Sequence, residues 1–469
     1  MSKLVRSLEE AIIASGLKDG MCISFHHHLR NGDYVLNMVL EAIAQLGIGN
    51  LTINASSIFD CHAPLLKHLK NGVVTGLETN YMGQVVGKAV SEGILQKPVL
   101  FRTHGGRPSD IETGKSPIDV AFIGAPTSDI QGNCTGRYGK SACGSLGYAF
   151  ADARYAKQVV VVTDNLVPYP ATPYSISEVD VDHLVVVDAI GDPQGIVSGT
   201  TRMTRDPIAL RIADLTAKVI SASGLLKNGF SFQTGAGGAS LAVGQNIQEI
   251  MLKQGIKGSF ALGGTTEYLV NMLETGCFEH ILDVQCFDLK AVESLHRNPR
   301  HIEISAGHYA SPTAKSCVAE RLDVVVLGAT QIDVNFNVNV HTDSNGYIIG
   351  GSGGHSDVAS GAKLALVIAP LSRARLSIVV DQVLTTTTPG STVDALVTQH
   401  GVAINPRRED LRERLTASGL PLVEIEALRK TAESLNGVSQ KPQLGDRVIG
   451  RVRYRDGTII DEIRTVLSL

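Results

Sequence analysis

The feature that most constrains this chain is an internal repeat. Four segments of its first half recur, in the same order, about 205 residues later. The longest pairs are ASGLKDGMCISF, which begins at Ala14, with ASGLLKNGFSF, which begins at Ala222, and DVAFIGAPTSDIQGN, from Asp119, with DVVVLGATQIDVNFN, from Asp323. The repeats of solenoid proteins span only about 20 to 50 residues. A period of this length therefore indicates two copies of one domain.

We expect the boundary between the copies at Arg205–Pro207, just before the helix that opens the second copy. This divides the chain into a first domain of residues 1–205 and a second domain of residues 206–469. Within each copy, Val- and Ile-rich runs such as QVVVVT and HLVVVD alternate with helical stretches. Such runs are typical of parallel strands buried on both faces. We therefore predict an α/β fold in which each copy is a mainly parallel, doubly wound sheet flanked by helices.

The two ends of the chain carry their own signals. Ser7 and Glu10 form the pattern of a capping box, which predicts a helix N-terminus, and Gly16 lies near the expected end of that helix. Near the other end, RVIGRVRYRDGTIIDEI predicts a β-hairpin around an Asp456-Gly457 turn. We expect this C-terminal hairpin to cap the second domain.

Composition and charge exclude several classes of protein. The net charge is −4 and the basic residues are scattered, whereas nucleic-acid binding needs a clustered basic face. No run approaches the roughly 18 apolar residues of a membrane span, and the first residues lack the pattern of a signal or transit peptide. The seven cysteines form no CxxC pair. This is typical of a reduced, cytoplasmic protein without a metal site.

The segment CISFHHHLRNGD places three histidines and an arginine at the end of a predicted strand. A helix is expected to begin near Asp33, so the loop lies at a strand end and a helix N-terminus, where backbone N–H groups favour anions. His26, His27, His28 and Arg30 add donors for a carboxylate or phosphate. Consecutive residues of a strand point to opposite faces, so a zinc site formed by all three histidines is disfavoured.

The equivalent loop of the second copy is QTGAGGAS, with Gly235, Gly237 and Gly238. A loop of this kind lets backbone amides approach a ligand closely, as in an oxyanion hole. A plain turn is the alternative. The match in position to the histidine loop favours the ligand-binding interpretation.

Two further segments are rich in donors. RTHGGRPS combines Arg102, His104 and Arg107 with two glycines, which indicates either a carboxylate site or a solvated basic turn. GGSGGHSD places glycines beside a histidine and an aspartate, which could form a cluster of backbone donors with an acid–base pair. Its candidate residues are Gly353, Gly354, His355 and Asp357.

Before that glycine segment, DVNFNVNV places Asn335 and Asn337 two residues apart, which predicts one face of a strand. Their amides could hold a substrate oxygen, although a polar sheet edge is the alternative. The chain lacks a GxGxxG after its first strand, a Walker loop and an HExxH motif. The donor-rich loops come from both copies, so we expect a cleft between the domains for a multiply charged carboxylate or an acyl thioester.

The segments SGLKDGMCISFHHHLRNGDYVLNMVLEAI, KSACGSLGYAFADARYAKQVVVVT, FSFQTGAGGASLAV, NPRHIEISAGHYA and GSGGHSD, in this order, resemble the α-subunit family of bacterial citrate lyase. The resemblance spans nearly the whole chain. It implies two CoA-transferase-type domains and transfer of an acyl-carrier-protein thioester from acetyl carrier protein to citrate, which gives citryl carrier protein and acetate. It further implies a mixed anhydride rather than a covalent enzyme–CoA intermediate.

The resemblance also implies partners. The thioester would be carried on the phosphoribosyl-dephospho-CoA arm of a γ subunit, the acyl carrier protein, with acetyl-CoA as a surrogate and no cofactor bound directly. A β subunit would cleave the citryl thioester, in a hetero-oligomer with six copies of each chain. Family members usually carry an additional N-terminal segment before the first helix.

From these observations we predict two groups of site residues. The predicted catalytic residues are Gly237, Gly238, Gly353, Gly354 and His355. The predicted substrate-binding residues are His26, His27, His28, Arg30, Arg102, His104, Arg107, Gly263, Gly264, Asn335, Asn337 and Asp357.

Two alternative functions remain open from the sequence. Related CoA-transferases use a glutamate nucleophile, and Gly263 stands where that glutamate would be. A covalent CoA-transferase or acyl-CoA hydrolase would therefore need another carboxylate, for which Glu267 is the nearest candidate, although a surface helix residue is the alternative for it. The other possibility is a citrate-binding scaffold subunit without catalysis.

Overall fold

The structure is a computed structural model that describes residues 3–197, 203–438 and 440–467. The strands of the first half are β1 (Leu4–Val5), β2 (Cys22–Phe25), β3 (Leu51–Ala55), β4 (Val74–Thr79), β5 (Val99–Phe101), β6 (Val120–Ala125), β7 (Thr127–Asp129), β8 (Cys134–Thr135), β9 (Gln158–Thr163), β10 (Leu166–Val167) and β11 (His183–Val186). Its helices are α1 (Leu8–Ala14), α2 (Val35–Gln45), α3 (Leu65–Lys70), α4 (Gln84–Ser91), α5 (Gly106–Glu112) and α6 (Ala149–Tyr155).

The second half has the same alternation of strands and helices. Its helices are α7 (Pro207–Ala222), α8 (Gly238–Gln254), α9 (Glu267–Glu274), α10 (Leu289–Arg297), α11 (Ala306–Ala310), α12 (His355–Gly361), α13 (Glu409–Ala417) and α14 (Ile425–Asn436). Its strands are β12 (Ser231–Thr234), β13 (Gly258–Thr265), β14 (Phe278–Cys286), β15 (His301–Glu303), β16 (Val324–Gly328), β17 (Gln331–Asp333), β18 (Val338–Asn339), β19 (Leu364–Ile368), β20 (Ser372–Arg373), β21 (Leu376–Ser377), β22 (Val379–Val380), β23 (Ala395–Thr398), β24 (Gly401–Ile404), β25 (Leu444–Arg453) and β26 (Ile459–Val466).

Two large sheets form the two halves of the molecule. The first has the strand order β1-β11-β9-β6-β2-β3-β4-β5-β25-β26, and the second has the order β15-β14-β13-β12-β16-β19-β23-β24. Pairing is parallel throughout except at β25–β26 and β23–β24. The predicted tandem α/β fold with parallel, doubly wound sheets is confirmed.

Each sheet reverses its winding at one place. In the first sheet the chain runs from β2 outward through β3, β4 and β5, and then returns to the other side of β2 with β6. In the second sheet the same reversal lies between β12 and β16. Ligands of doubly wound sheets bind at this switch point, outside the carboxyl ends of the strands. The histidine loop follows β2 and the glycine loop follows β12, so both lie at switch points.

The repeat extends to the small sheets. In the first half β7 pairs parallel with β10 and antiparallel with β8, and in the second half β17 pairs parallel with β22 and antiparallel with β18. An aspartate organises the turn after β7 and after β17: Asp129 accepts from the backbone N–H of Asn133, and Asp333 accepts from that of Asn337.

The C-terminal hairpin is present, but the expectation that it caps the second domain is wrong. Strand β25 pairs parallel with β5, with Gly450 opposite Val99, and so extends the sheet of the first half. The open edge of β5 offers backbone hydrogen bonds that the hairpin satisfies. The predicted boundary at Arg205–Pro207 lies at the start of α7, where the Asp206 carboxylate caps the first turn. The division into residues 1–205 and 206–469 stays a prediction.

Both sheets are buried between their helices. Strand β6 is buried at every position, as are β19 and β23, which matches their Val, Ile and Ala content. The Ser7 hydroxyl accepts from the Glu10 N–H at the start of α1, as the capping pattern predicts. Among the described residues, no helix combines the length and apolar character that crossing a bilayer requires.

Candidate functional site

Loops from the two halves meet where the carboxyl ends of the two sheets face each other. The His104 N–H donates to the Gly353 carbonyl at 2.8 Å, and the Ala306 N–H donates to the Gly147 carbonyl at 2.8 Å. Each half therefore places the loop after one of its strands against a glycine of the other half. The two contacts are related by the internal repeat, and the candidate site lies between them.

The histidine loop packs as a layer of aromatic rings. The His27 ring lies 4.6 Å from the ring of Tyr148 and 5.8 Å from that of His104, measured between centroids. Its Nδ1 lies 2.6 Å from the Ser56 hydroxyl, and its carbonyl accepts from Gln285 Nε2 at 2.9 Å. Because Gln285 belongs to β14 of the second half, this bond ties the histidine loop to the opposite sheet.

Burial keeps these histidines neutral. It lowers the pKa of His26 to about 4 and that of His104 to about 3. It lowers the pKa values of His27 and His28 well below the usual 6.5. At neutral pH the rings therefore act as hydrogen-bonding groups and not as cations, so a multiply charged anion needs another positive group.

Arg30, in the same loop, is a candidate for such a positive group. It adopts a left-handed backbone conformation with φ of 52°, and its guanidinium stacks on Phe287 at 4.4 Å and on Phe59 at 5.6 Å from the ring centroids. Its Nε and Nη1 are buried and have no hydrogen-bond partner among the described residues. Burial lowers the pKa of Arg30, and none of the groups that perturb it is a carboxylate. Two aromatic faces thus hold the guanidinium and leave its edge for an anionic ligand.

The glycine loop of the second half opens α8. Gly237 is the N-cap and Gly238 the first helical residue, and no side chain caps this end. At the end of β12, Gln233 Nε2 donates to Tyr309 Oη at 3.0 Å, while Gln233 Oε1 is buried without a partner among the described residues. The loop therefore brings both a helix N-terminus and an unused amide oxygen to the switch point.

Gly263 and Gly264 lie in a bulged part of β13 beside these groups. Gly263 has φ of 106°, and a Cβ atom there would lie 2.9 Å from Gln233 Cδ. A Cβ atom at Gly264 would lie 2.3 Å from the ring of Phe287, the residue that stacks on Arg30. Neither position has room for a larger side chain. Glu267 is exposed at the first turn of α9, where its N–H donates to Asp288.

The glycine segment of the second half is close to the site, but its predicted acid–base pair does not form. His355 uses both ring nitrogens, with Nδ1 2.7 Å from the Thr388 hydroxyl and Nε2 2.9 Å from the Gly328 carbonyl. Asp357 instead accepts from Thr103 Oγ1 at 2.7 Å and from the Gly105 N–H at 2.9 Å. The two side chains have structural partners of their own, because each bonds a neighbouring segment.

Gly353 and Gly354 lie just before α12, where Gly353 contacts the first half. Gly353 has φ of 50° and faces His104, whose Nε2 would lie 3.3 Å from a Cβ atom there. A Cβ atom at Gly354 would lie 2.3 Å from Tyr309 Oη. Gly353 therefore allows His104 to approach the backbone of the opposite half, and Gly354 allows Tyr309 to approach the backbone of its own half.

Arg102 and Arg107, predicted to bind substrate, are engaged in internal ion pairs. Arg102 bonds Glu78 at 2.6 Å and Asp110 at 2.7 Å, and Arg107 makes a bidentate pair with Asp152 at 2.7 and 2.8 Å. Both arginines are buried. Since their guanidinium groups already have carboxylate partners, they are structural in this fold and not free to bind a substrate.

Asn335 and Asn337 do not lie on one strand face. They belong to the turn between β17 and β18, where both backbone N–H groups donate to Asp333 at 2.9 Å. Asn337 Nδ2 also donates to Asp333, and its Oδ1 accepts from the Gly390 N–H. The aspartate competes for the backbone and converts the expected strand into a turn.

Several site residues were not predicted: Tyr148, Gln233, Gln285, Phe287 and Tyr309. The repeat carries a signal for Tyr148, because it is the N-cap of α6 as Gly354 is the N-cap of α12, the equivalent helix. The other four have no local motif. Gln233 and Gln285 lie near the ends of β12 and β14, and Phe287 and Tyr309 lie after β14 and β15, so they reach the site through the packing of the two sheets against each other.

A separate cavity of about 650 Å³ lies between α14 and the segment after β22. None of its lining residues belongs to the loops described above. Its lining includes Arg429, which pairs with Glu433 at 2.5 Å. This pairing neutralises the arginine, and the candidate site therefore remains the one between the sheets.

Comparison with known proteins gives consistent matches over the whole chain. The family model described as citrate lyase, alpha subunit, matches residues 1–466. A citrate lyase alpha chain of Klebsiella pneumoniae is 50% identical over 464 residues, which cover 99% of this chain and 91% of the relative. A crystal structure of the alpha subunit of citrate lyase from Streptococcus mutans, in complex with citrate, has 53% identity and a TM-score of 0.98, covering 100% of this chain and 92% of that one.

A more distant structure defines the fold class. The 4-hydroxybutyrate CoA-transferase of Porphyromonas gingivalis has 18% identity and a TM-score of 0.59, and the match covers 92% of this chain and 96% of that chain. At this identity the likeness concerns the fold alone. The chain accordingly shares its fold with that CoA-transferase.

Proposed function

Because the chain belongs to the citrate lyase alpha subunit family, we propose that it transfers the carrier-protein thioester from acetyl carrier protein to citrate. The products are citryl carrier protein and acetate. The chain is then the transferase component of a citrate lyase complex. The S. mutans relative was crystallised with citrate, which supports citrate as the acceptor.

The observation that carries this proposal is the unpaired guanidinium of Arg30. An isolated buried cation is costly, and such groups are normally paired or bound to an anion. Arg30 has two buried nitrogens without partners, at the switch point where ligands of such folds bind. Citrate at neutral pH carries close to three negative charges, and a guanidinium binds a carboxylate through two parallel hydrogen bonds.

The proposed reaction needs no group other than the two substrates and hydrogen-bond donors. A citrate carboxylate oxygen attacks the acetyl carbonyl carbon, the C–S bond breaks, and a citryl–acetyl anhydride and a carrier thiolate form. The thiolate then attacks the citryl carbonyl carbon, and acetate leaves with the anhydride oxygen. Each attack passes through an oxyanion, for which the uncapped α8 N-terminus at Gly237 and Gly238 offers backbone N–H donors.

The crowding at Gly263 favours this route over a covalent enzyme intermediate. A glutamate nucleophile at that position would need a Cβ atom 2.9 Å from Gln233 and φ of 106°. Glu267 is exposed on α9 and its backbone is tied to Asp288. Asp283, which lies opposite Gly263 on β14, is fully buried and its carboxylate already bonds the Gln285 N–H, Cys286 and His301.

We further propose that the thioester arrives on the phosphoribosyl-dephospho-CoA arm of an acyl carrier protein, the γ subunit, with acetyl-CoA as a surrogate donor. A β subunit would cleave the citryl thioester, with six copies of each chain in a cytoplasmic complex. In this arrangement the chain binds the arm only as part of its substrate.

The test is acyl exchange. The chain, without the β subunit that would cleave the product, is incubated with labelled citrate and acetyl carrier protein, or acetyl-CoA, and citryl thioester and acetate are measured together with a borohydride trap. Citryl thioester without a trapped enzyme adduct supports the proposal. A trapped glutamyl adduct would move the chain to the covalent class, with Glu267→Gln as the next variant. Citrate binding without exchange on either donor would leave a scaffold role.

A further inference from the structure

The orientation of His28 follows from a backbone donor. The Tyr148 N–H donates to His28 Nε2 at 3.2 Å. A backbone amide can only donate, so His28 Nε2 must accept and cannot carry a proton. Burial keeps His28 neutral, and a neutral imidazole has one ring proton. That proton is therefore on His28 Nδ1.

The same reasoning extends to His26. His28 Nδ1 and His26 Nδ1 face each other within hydrogen-bond distance, with ring centroids 4.4 Å apart. Since His28 Nδ1 carries a proton, His26 Nδ1 must accept it in a hydrogen bond. Neutral His26 then carries its own proton on Nε2. This Nε2 is buried and has no acceptor among the described residues.

We propose that His26 donates a hydrogen bond from Nε2 to a carboxylate oxygen of the bound substrate, and that His28 is the positioning residue that fixes this tautomer. The inference rests on the proposed function and identifies which of the three loop histidines contacts the substrate. The donor is neutral, so it adds a directed hydrogen bond without a second buried cation. The third histidine, His27, uses Nδ1 for the Ser56 hydroxyl and stacks its ring on Tyr148.

Two pairs of variants distinguish a hydrogen-bonding role of these histidines from a role in packing alone. An asparagine amide occupies the place of a histidine Nδ1, and a glutamine amide occupies that of Nε2. His28→Asn therefore keeps a donor toward His26, whereas His28→Gln keeps only the acceptor for Tyr148. In the same way His26→Gln keeps a donor at the Nε2 position, whereas His26→Asn removes it.

The readouts are the ring tautomer of His26 and the affinity for citrate. In ¹⁵N spectra of the histidine-labelled chain within its complex, with His26 assigned by its absence in His26→Gln, we expect wild-type His26 to be protonated at Nε2. We expect this tautomer to persist in His28→Asn and to be lost in His28→Gln. Citrate dissociation constants should rise about tenfold or more in His28→Gln and His26→Asn. They should rise less than about threefold in the matched variants His28→Asn and His26→Gln.

The outcomes distinguish this inference from the proposed function. A wild-type His26 protonated at Nδ1 would overturn the inference without any variant having to fold. An unchanged tautomer and citrate affinity in His28→Gln would overturn it as well. If wild type shows no acyl exchange, the proposed function fails, whereas citrate binding and the His26 tautomer still decide the inference.

Discussion

At the scale of single residues, the site combines several neutral rings with one cation. His26, His27, His28 and His104 are held neutral by burial, and Arg30 supplies the positive charge between two aromatic rings. The arginines Arg102 and Arg107 cannot supply this positive charge in place of Arg30, because both are paired with carboxylates. Among the site residues that the structure describes, Arg30 is therefore the arginine without a carboxylate partner.

We expect Arg30→Gln to lower kcat/KM for citrate by about 100-fold or more, because charge-assisted hydrogen bonds contribute about 1.5 to 3 kcal/mol each. Arg30→Lys should recover only part of this loss, since an ammonium cannot make two parallel bonds to a carboxylate or stack flat on Phe287. Steady-state kinetics with varied citrate provide the measurement. The matched control is Arg211→Gln, an exposed arginine of α7. A full recovery in Arg30→Lys would contradict the role given to the planar guanidinium.

Gly263 permits a test of backbone geometry at the same scale. We expect Gly263→Ala to lower the free energy of unfolding by about 2 to 4 kcal/mol, because the left-handed φ and the approach to Gln233 both penalise a Cβ atom. Urea denaturation is the measurement. Gly244→Ala, in the middle of α8 with no atom within 4 Å of its Cβ position, should instead be neutral or slightly stabilising. Equal effects of the two substitutions would show that Gly263 is not strained.

At the scale of elements, the C-terminal hairpin is held to the first sheet by a buried carboxylate. Asp110 accepts from Arg102 Nε and from Arg453 Nη1 of β25, both at 2.7 Å. We expect Arg453→Gln to lower the free energy of unfolding by about 1 to 3 kcal/mol, because Asp110 stays buried with one cation fewer. Arg451→Gln removes the exposed pair with Glu462 and should cost less than about 1 kcal/mol. Urea denaturation of both variants compares them, and equal losses would contradict a specific role for Asp110.

The elements also show what the sequence allows one to predict. The repeat and the β-branched runs are local patterns, so the parallel sheets and the loops after β2 and β12 could be located from them. Pairing of a donor with a distant carboxylate leaves no local pattern: Arg107 and Asp152 are far apart in sequence and bidentate in the fold. The same applies to β25, whose partner β5 lies on the other half. Loop positions could thus be predicted, whereas the sequence could not separate the unpaired Arg30 from the carboxylate-paired Arg102 and Arg107.

At the scale of the whole molecule, Asp357 connects three parts of the chain. Its carboxyl, on α12, accepts from Thr103 Oγ1 and from the Gly105 N–H of the first half, and Arg455 of the hairpin turn lies 3.8 Å away. The same loop of the first half carries His104 into the site. The contact between the two halves beside the site therefore contains a fully buried carboxyl group.

This carboxyl group gives the molecule a pH dependence whose sign follows from burial. Burial raises the pKa of Asp357 to about 7 from the usual 3.8, so the folded protein holds this proton more tightly than the unfolded chain. The stabilisation is complete below about pH 3.8 and is lost as the pH rises through about 7, at up to about 1.4 kcal/mol per pH unit.

The free energy of unfolding of wild type minus that of Asp357→Asn should therefore fall between pH 5 and pH 7 and level off above pH 7. Taking this difference cancels the titration of every other group, because the asparagine variant keeps them all. Urea denaturation of both proteins at each pH gives the curve. Parallel profiles would mean that the hydrogen bonds from Thr103 and Gly105 already hold the group as a carboxylate, so that the joint between the halves does not titrate near neutral pH.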